Sequence, residues 1–169
     1  MSNFKEKLRT IPDFPVPGIL FYDLLPAISE MGAFNEVIEE LYELYKDYPV
    51  TKVVGIDARG LIFGAPLACK FNAGFIPARK ANKLPGKTLI EVYSKEYGED
   101  HLAIQQDLIK PEDNVLIVDD IIATGGTAVA TEKLVSNYTK NIKHLFLMEL
   151  SELGGLSKLS YEYKTLISV

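Results

Sequence analysis

The chain has 169 residues, 47% of them hydrophobic, with 18 basic and 23 acidic side chains and a formal net charge of -5. That length suits one domain and that apolar share can build a core, which excludes a disordered chain and a disulfide-stapled mini-domain. The acidic balance speaks against a protein that coats nucleic acid or an anionic membrane, and no run approaches the ~20 apolar residues of a membrane span.

Residues 1–7 carry no apolar stretch of the secretory kind, so the expected compartment is the cytoplasm. Between Ile11 and Phe21, Pro12, Pro15, Pro17 and Gly18 forbid a helix and dictate an extended, turning path that ends in a short apolar run. Phe34, Val37, Ile38, Leu41, Leu44, Tyr45 and Tyr48 then recur at helical spacing and predict an amphipathic helix within 29–48. Its six acids face one basic residue, Lys46, and read as a solvated surface.

Two apolar runs, 53–56 and 115–118, stop at Asp57 and at Asp119-Asp120, and these acids are expected in loops. Continuous β-branched runs suit strands buried on both faces. Each leads through a glycine-bearing turn into a helical pattern, over 61–71 and 128–138, and 73–78 and 145–150 read as further strands. The fold class is therefore α/β, an open parallel sheet flanked by helices, with one domain over 1–169 and the tail from 151 adding an edge element. In such sheets ligands bind beyond the carboxyl ends of the strands, the edge that Asp57, Asp119 and Asp120 share. The lone Cys69 lies in the apolar run 61–69 and reads as a buried, inert thiol. His101 and His144 lack partners at zinc-ligand spacing, so no protein-held metal is expected.

The richest stretch is 115–127, a buried strand followed by Asp119, Asp120, two isoleucines, and then Ala123, Thr124, Gly125, Gly126 and Thr127. Its second half is a small-residue loop opening a helix, where free backbone N–H groups and the positive dipole end favour a phosphate. Thr124 and Thr127 add hydroxyl donors, while Asp119 and Asp120 are suited to accept hydrogen bonds from a sugar diol. Phosphate and diol together describe a ribose 5-phosphate. A bare Thr-Gly-Gly would more readily be an ordinary turn.

As a whole, the string resembles the phosphoribosyl pyrophosphate signature of the type I phosphoribosyltransferases. Three further segments narrow the resemblance to the adenine phosphoribosyltransferase family. The segment 11–23, with Pro12, Pro15, Pro17, Phe21 and Asp23, is similar to that family's base-binding hood. Asp57-Ala58-Arg59-Gly60, apart from Ala58, is similar to its pyrophosphate loop, for which the resemblance implies a cis peptide between Asp57 and Ala58. Arg79, Lys80, Lys83 and Lys87, followed by Glu96 and Tyr97, are similar to its mobile catalytic loop, placed here at about 79–98. Tyr22 departs from the family pattern, which usually has a basic residue there.

The resemblance implies transfer of the 5-phosphoribosyl group from phosphoribosyl pyrophosphate to adenine, with magnesium bound through the donor and water, in a homodimer. Phe21 is suited to stack on the purine and the backbone of Leu20 to read its edge; by itself Phe21 would read as a core aromatic. Arg59 offers a forked donor to pyrophosphate, although an ion pair reads equally well from that tetrapeptide. Glu96 is the candidate acid/base, Asp119 and Asp120 face the cationic sugar, and a solvated glutamate is the plainer reading of Glu96 alone. Two rival readings are a phosphoribosyltransferase for another base and a non-catalytic regulator that binds the donor. The 6-oxopurine enzymes typically carry Asp where this chain has Ala123, and a regulator would usually need a nucleic-acid face that this chain does not show. The four basic residues of 79–87, with no acid among them, reconcile an acidic chain with an anionic substrate.

Overall fold

The computed structural model describes residues 4–94 and 99–169. Arg9–Pro12 (β1) and Leu20–Asp23 (β2) pair as an antiparallel hairpin standing apart from the main sheet, with the proline-rich segment as its turn. Arg9 clamps its base, donating from Nη2 to Asp23 Oδ2 at 2.5 Å. That bond holds the Asp23 carboxyl below the ordinary carboxylate range. The short helix Leu25–Ile28 (α1) leads to Ala33–Tyr45 (α2), whose start follows Gly32 at φ +88°.

The core alternates strand and helix: Lys52–Ile56 (β3), Gly60–Phe71 (α3), Gly74–Lys80 (β4), Thr88–Ser94 (β5), Glu99–Gln105 (β6), Val115–Ile122 (β7), Gly126–Ser136 (α4), Ile142–Glu149 (β8) and Tyr163–Ser168 (β9). They form a seven-stranded sheet in the order β5-β6-β4-β3-β7-β8-β9. The five strands from β4 to β9 in that order run parallel, and the β5–β6 hairpin joins antiparallel to β4. Period-two alternation divides the buried side chains between two faces. Val53, Leu116, Val118, Leu145 and Leu147 pack under α2 and α3, whereas Val54, Ile56, Val115, Ile117 and Ile76 pack under α4. Burial on both faces is what the unbroken apolar runs anticipate. As expected, the tail supplies an edge strand, β9.

Three expectations are corrected. Asp119 and Asp120 lie inside β7, not in a loop, because pairing to β8 continues from Asp119↔Phe146 to Ile122↔Glu149 after pairing to β3 has ended. Arg79 and Lys80 belong to β4, held there by β6 at Ala103 and Leu102, so the basic stretch begins as strand. Cys69 is exposed. Helix α3 turns Phe63, Gly64, Leu67 and Ala68 inward, and Ile62, Ala65 and Cys69 occupy its opposite face. No helix among the described residues is long and apolar enough to cross a membrane.

Candidate active site

At the carboxyl end of β7 the chain turns through 123–125 into α4, and Asp119 with 121–128 lines a cleft of about 100 Å³. The turn depends on Gly125, whose φ of +81° disfavours any side chain and whose position would drive a Cβ to 2.6 Å from the Gly155 carbonyl oxygen. Helix α4 begins at Gly126 with no side-chain cap, so the N–H groups of its first turn lack partners within the helix, and Gly126, Thr127 and Ala128 line that cleft. Thr127 Oγ1 donates to the Tyr93 hydroxyl at 3.3 Å, which ties the turn to the β5–β6 hairpin.

Adjacent residues of a strand face opposite ways, so the two acids are not a single clamp. Asp119 opens to the cleft and its Oδ1 accepts from the Asp120 N–H at 2.9 Å. Asp120 is buried, 4% exposed, with Oδ2 2.7 Å from Arg59 Nε. The contact is an ion pair without hydrogen-bond alignment, and among the described residues that oxygen finds no other donor. Burial pushes both carboxyls up, Asp119 the further because the Asp120 charge adds to its desolvation, while Arg59 draws Asp120 back.

This has a measurable consequence. A carboxyl whose pKa is raised by folding lends stability in full below the unfolded value, near 3.9, and loses it as pH rises through the folded value. At neutral pH an ionised Asp119 is therefore a cost to the fold. Asp119→Asn keeps the acceptor for Asp120 N–H, and is expected to melt higher than the parent at pH 7–8, with the gap closing toward pH 4. Thermal melts across that range check it; a gap independent of pH contradicts it.

The loop 57–59 carries the cis peptide between Asp57 and Ala58. Arg59 reaches from it in two directions: its guanidinium carbon lies 5.3 Å from the centroid of the Phe21 ring, and its Nε meets Asp120. Phe14 packs edge-on against Phe21 with centroids 5.0 Å apart, and Leu20 beside it is 48% exposed. Arg79 donates from Nε to Asp57 at 2.8 Å and from Nη1 to the Lys83 carbonyl at 3.3 Å, drawing β4 and the turn Ala81–Lys83 onto the loop. Lys80 lies 3.8 Å from Asp100, and Lys83 is exposed. Gly60 presses against β7 so closely that a Cβ would sit 2.7 Å from the Val118 carbonyl oxygen and 2.8 Å from Asp119 Oδ1.

The structure thus gathers Phe21, Asp57, Ala58, Arg59, Gly60, Arg79, Asp119, Asp120 and residues 123–127 at one sheet edge. Glu96 and Tyr97 lie outside the described residues. Sequence reasoning missed the Arg59–Asp120 pair, the hydroxyl of Tyr93, and Gly155 with Lys158, which meet the turn from the tail. Only the Gly154-Gly155 doublet hinted at the last. No cluster of three or more His, Cys, Asp or Glu side chains suited to a metal occurs among the described residues.

Residues 28–149 match the phosphoribosyl transferase domain family. The chain is 48% identical over 161 residues to an adenine phosphoribosyltransferase of Shewanella loihica, covering 95% of this chain and 89% of that one. It is 48% identical over 156 residues to one of Phocaeicola vulgatus, covering 92% and 88%. Among solved structures, adenine phosphoribosyltransferase from Thermoanaerobacter pseudethanolicus superposes with a TM-score of 0.93 at 41% identity over 99% of this chain and 98% of that one. The Saccharomyces cerevisiae enzyme, complexed with adenine and an imino-altritol bisphosphate, gives 0.92 at 42% identity over 98% and 97%. With a glycine turn into α4, an acid pair and Phe21 near one sheet edge, and relatives this similar along nearly their whole length, the chain belongs to the adenine phosphoribosyltransferase family within the phosphoribosyltransferases.

Proposed function

We propose that this edge joins adenine to the 5-phosphoribosyl group of phosphoribosyl pyrophosphate, giving AMP and pyrophosphate, and that the residues divide the work as follows. The N–H groups and hydroxyls of 123–127 hold the 5-phosphate, which fixes the sugar against β7. Asp119, which opens to the cleft, accepts from the ribose diol, and Asp120, buried behind it against Arg59, adds negative charge close to the cation that develops at the anomeric carbon. Purine N9 supplies the electron pair of the new bond to that carbon. The bond to the pyrophosphate oxygen breaks with its pair, and the N9 proton is lost.

Phe21, within the hood of 11–23, stacks on the adenine and the Leu20 backbone reads its edge. Residues 57–60 cradle pyrophosphate, with Arg79, Lys80 and Lys83 balancing its charge from the segment 79–98. Glu96 and Tyr97 belong to the same stretch of sequence, Tyr97 as a substrate contact and Glu96 as the acid/base that exchanges the base proton. Such a transition state asks for positioning and charge rather than covalent chemistry.

Magnesium fits the site as a companion of the donor. Asp119, which opens to the cleft and whose ionised form is disfavoured by burial and by the Asp120 charge, would gain from a hydrated divalent cation at the diol. When bound, the ion neutralises charge on the leaving pyrophosphate. A homodimer and a cytoplasmic setting belong to the same reading. Ile62 on α3 and Phe75 on β4, each 38% exposed, offer apolar surface for a second copy.

The observation that carries the assignment is Arg59, which joins the Phe21 platform to the buried acid behind the sugar site, Asp120, through contacts of 5.3 and 2.7 Å. The test is to incubate the protein with magnesium, phosphoribosyl pyrophosphate and, separately, adenine, hypoxanthine, guanine, xanthine, uracil or orotate. Nucleotide formed from adenine alone is expected. Equal turnover of hypoxanthine, or donor binding with no product, contradicts it.

A further inference from the structure

The segment after β8 has no part in the chemistry described so far, yet it meets the turn 123–125 at two points. It comprises two single turns, Ser151–Leu153 and Gly155–Lys158, joined at Gly154 with φ +61°. Leu156, 8% exposed, anchors it among Ile122 of β7, Ala128 of α4 and Phe146 of β8. From that anchor it makes two contacts with the turn. Gly155 lies backbone to backbone against it, such that a Cβ there would fall 2.2 Å from the Ala123 carbonyl oxygen. Lys158 Nζ donates to the Thr124 carbonyl at 2.8 Å. Neither residue lines the cleft, whose walls come from 119–128.

Peptide planarity turns these contacts into a directional constraint. In a trans peptide the C=O and the N–H that follows point opposite ways. The Ala123 carbonyl meets Gly155 and the Thr124 carbonyl meets Lys158, so planarity sets the N–H of Thr124 and of Gly125 on the opposite side of each peptide, although the Gly125 nitrogen itself borders Gly155. An anion in the cleft needs those N–H groups inward and those carbonyls outward, since a carbonyl oxygen turned to the cleft would repel it.

We propose that Gly155 and Lys158 are positioning residues for the phosphate site, a strap that fixes the orientation of the peptides 123–125 from behind. This rests on the reading of 123–127 as the 5-phosphate site. The strap therefore bears on affinity for phosphate-bearing ligands and leaves base recognition alone. Gly155 is there because only a residue without Cβ lets the two backbones touch. Lys158 acts as a cation on a carbonyl, a role that arginine can also fill.

Steady-state kinetics of the full chain with magnesium, comparing Lys158→Met, Lys158→Arg, Gly155→Ala and Thr127→Ala, test this. Lys158→Met is expected to raise KM for phosphoribosyl pyrophosphate about three- to tenfold, the range for losing one charge-assisted hydrogen bond at a partly solvated site. Its kcat and its KM for adenine should stay within about twofold, and Lys158→Arg should restore the parent value. Gly155→Ala should act in the same direction more strongly; because it risks misfolding, the exposed Lys158 carries the decision. If Thr127→Ala raises KM for the donor and Lys158→Met does not, the strap is overturned and the phosphate site stands. If neither variant alters it, the phosphate site itself is misassigned and the strap falls with it.

Discussion

Asp120→Asn is expected to lower kcat/KM with adenine and phosphoribosyl pyrophosphate by about 10²–10³-fold, the scale of removing one preorganised electrostatic group from a transition state. The substitution keeps the volume of the side chain and deletes its charge. Two effects then act together. The cationic sugar loses a nearby carboxylate, and Arg59, 2.7 Å from Asp120 Oδ2, loses its counter-charge and its fixed place over Phe21. Arg59 is 35% exposed and can turn to water, so the cost in stability stays well below the ~3–5 kcal/mol of breaking a fully buried pair. Activity should therefore fall far more than melting temperature. Parental turnover in the Asp120→Asn variant would show that Asp120 serves the fold alone.

Gly60→Ala is expected to damage the site through the scaffold. The Cβ would meet the Val118 carbonyl oxygen at 2.7 Å and the Asp119 Cα at 3.1 Å, and both belong to a central strand packed on both faces. A flexible side chain could give way, but β7 cannot, so α3 must retreat and carry residues 57–59 with it. Overpacking of this kind costs about 1–3 kcal/mol, a melting temperature lower by about 2–12 °C for a chain of this size. Activity should fall as well, because Arg59 precedes Gly60 and leaves Asp120 when α3 shifts. Melting curves and kinetics on the same preparation check both parts. Unchanged stability in the Gly60→Ala variant would mean that the approach of α3 to β7 is looser than the structure has it.

These two positions show how differently parts of the site can be read from sequence. The sheet was legible because burial on both faces demands unbroken apolar runs, and 53–56 and 115–118 carry them. The turn into α4 was legible because its signals are local: small residues, hydroxyls and a helix start lie within five positions. The end of β7 was not, since pairing with β8, rather than the apolar run, determines where it stops. Cys69 misled because a nine-residue apolar run does not reveal which of its members a helix turns outward.

The Arg59–Asp120 pair and the Gly155 contact are tertiary meetings of segments 61 and 32 residues apart from their partners Asp120 and Ala123, and no spacing rule encodes them. Charge behaves the same way. The net of -5 resides largely in the region of α2, where Glu39 pairs with Lys70 and Glu43 with Lys46, remote from the basic residues of 79–87. Asp57, in turn, holds Arg79 beside the proposed pyrophosphate cradle.

The measurement that bears most directly on the account is a crystal structure of the protein grown with AMP, magnesium and pyrophosphate. The account predicts the 5-phosphate among the N–H groups of 123–127, the ribose hydroxyls facing Asp119, and the adenine ring on Phe21. A nucleotide seated elsewhere, or bound with its phosphate away from that turn, would contradict it.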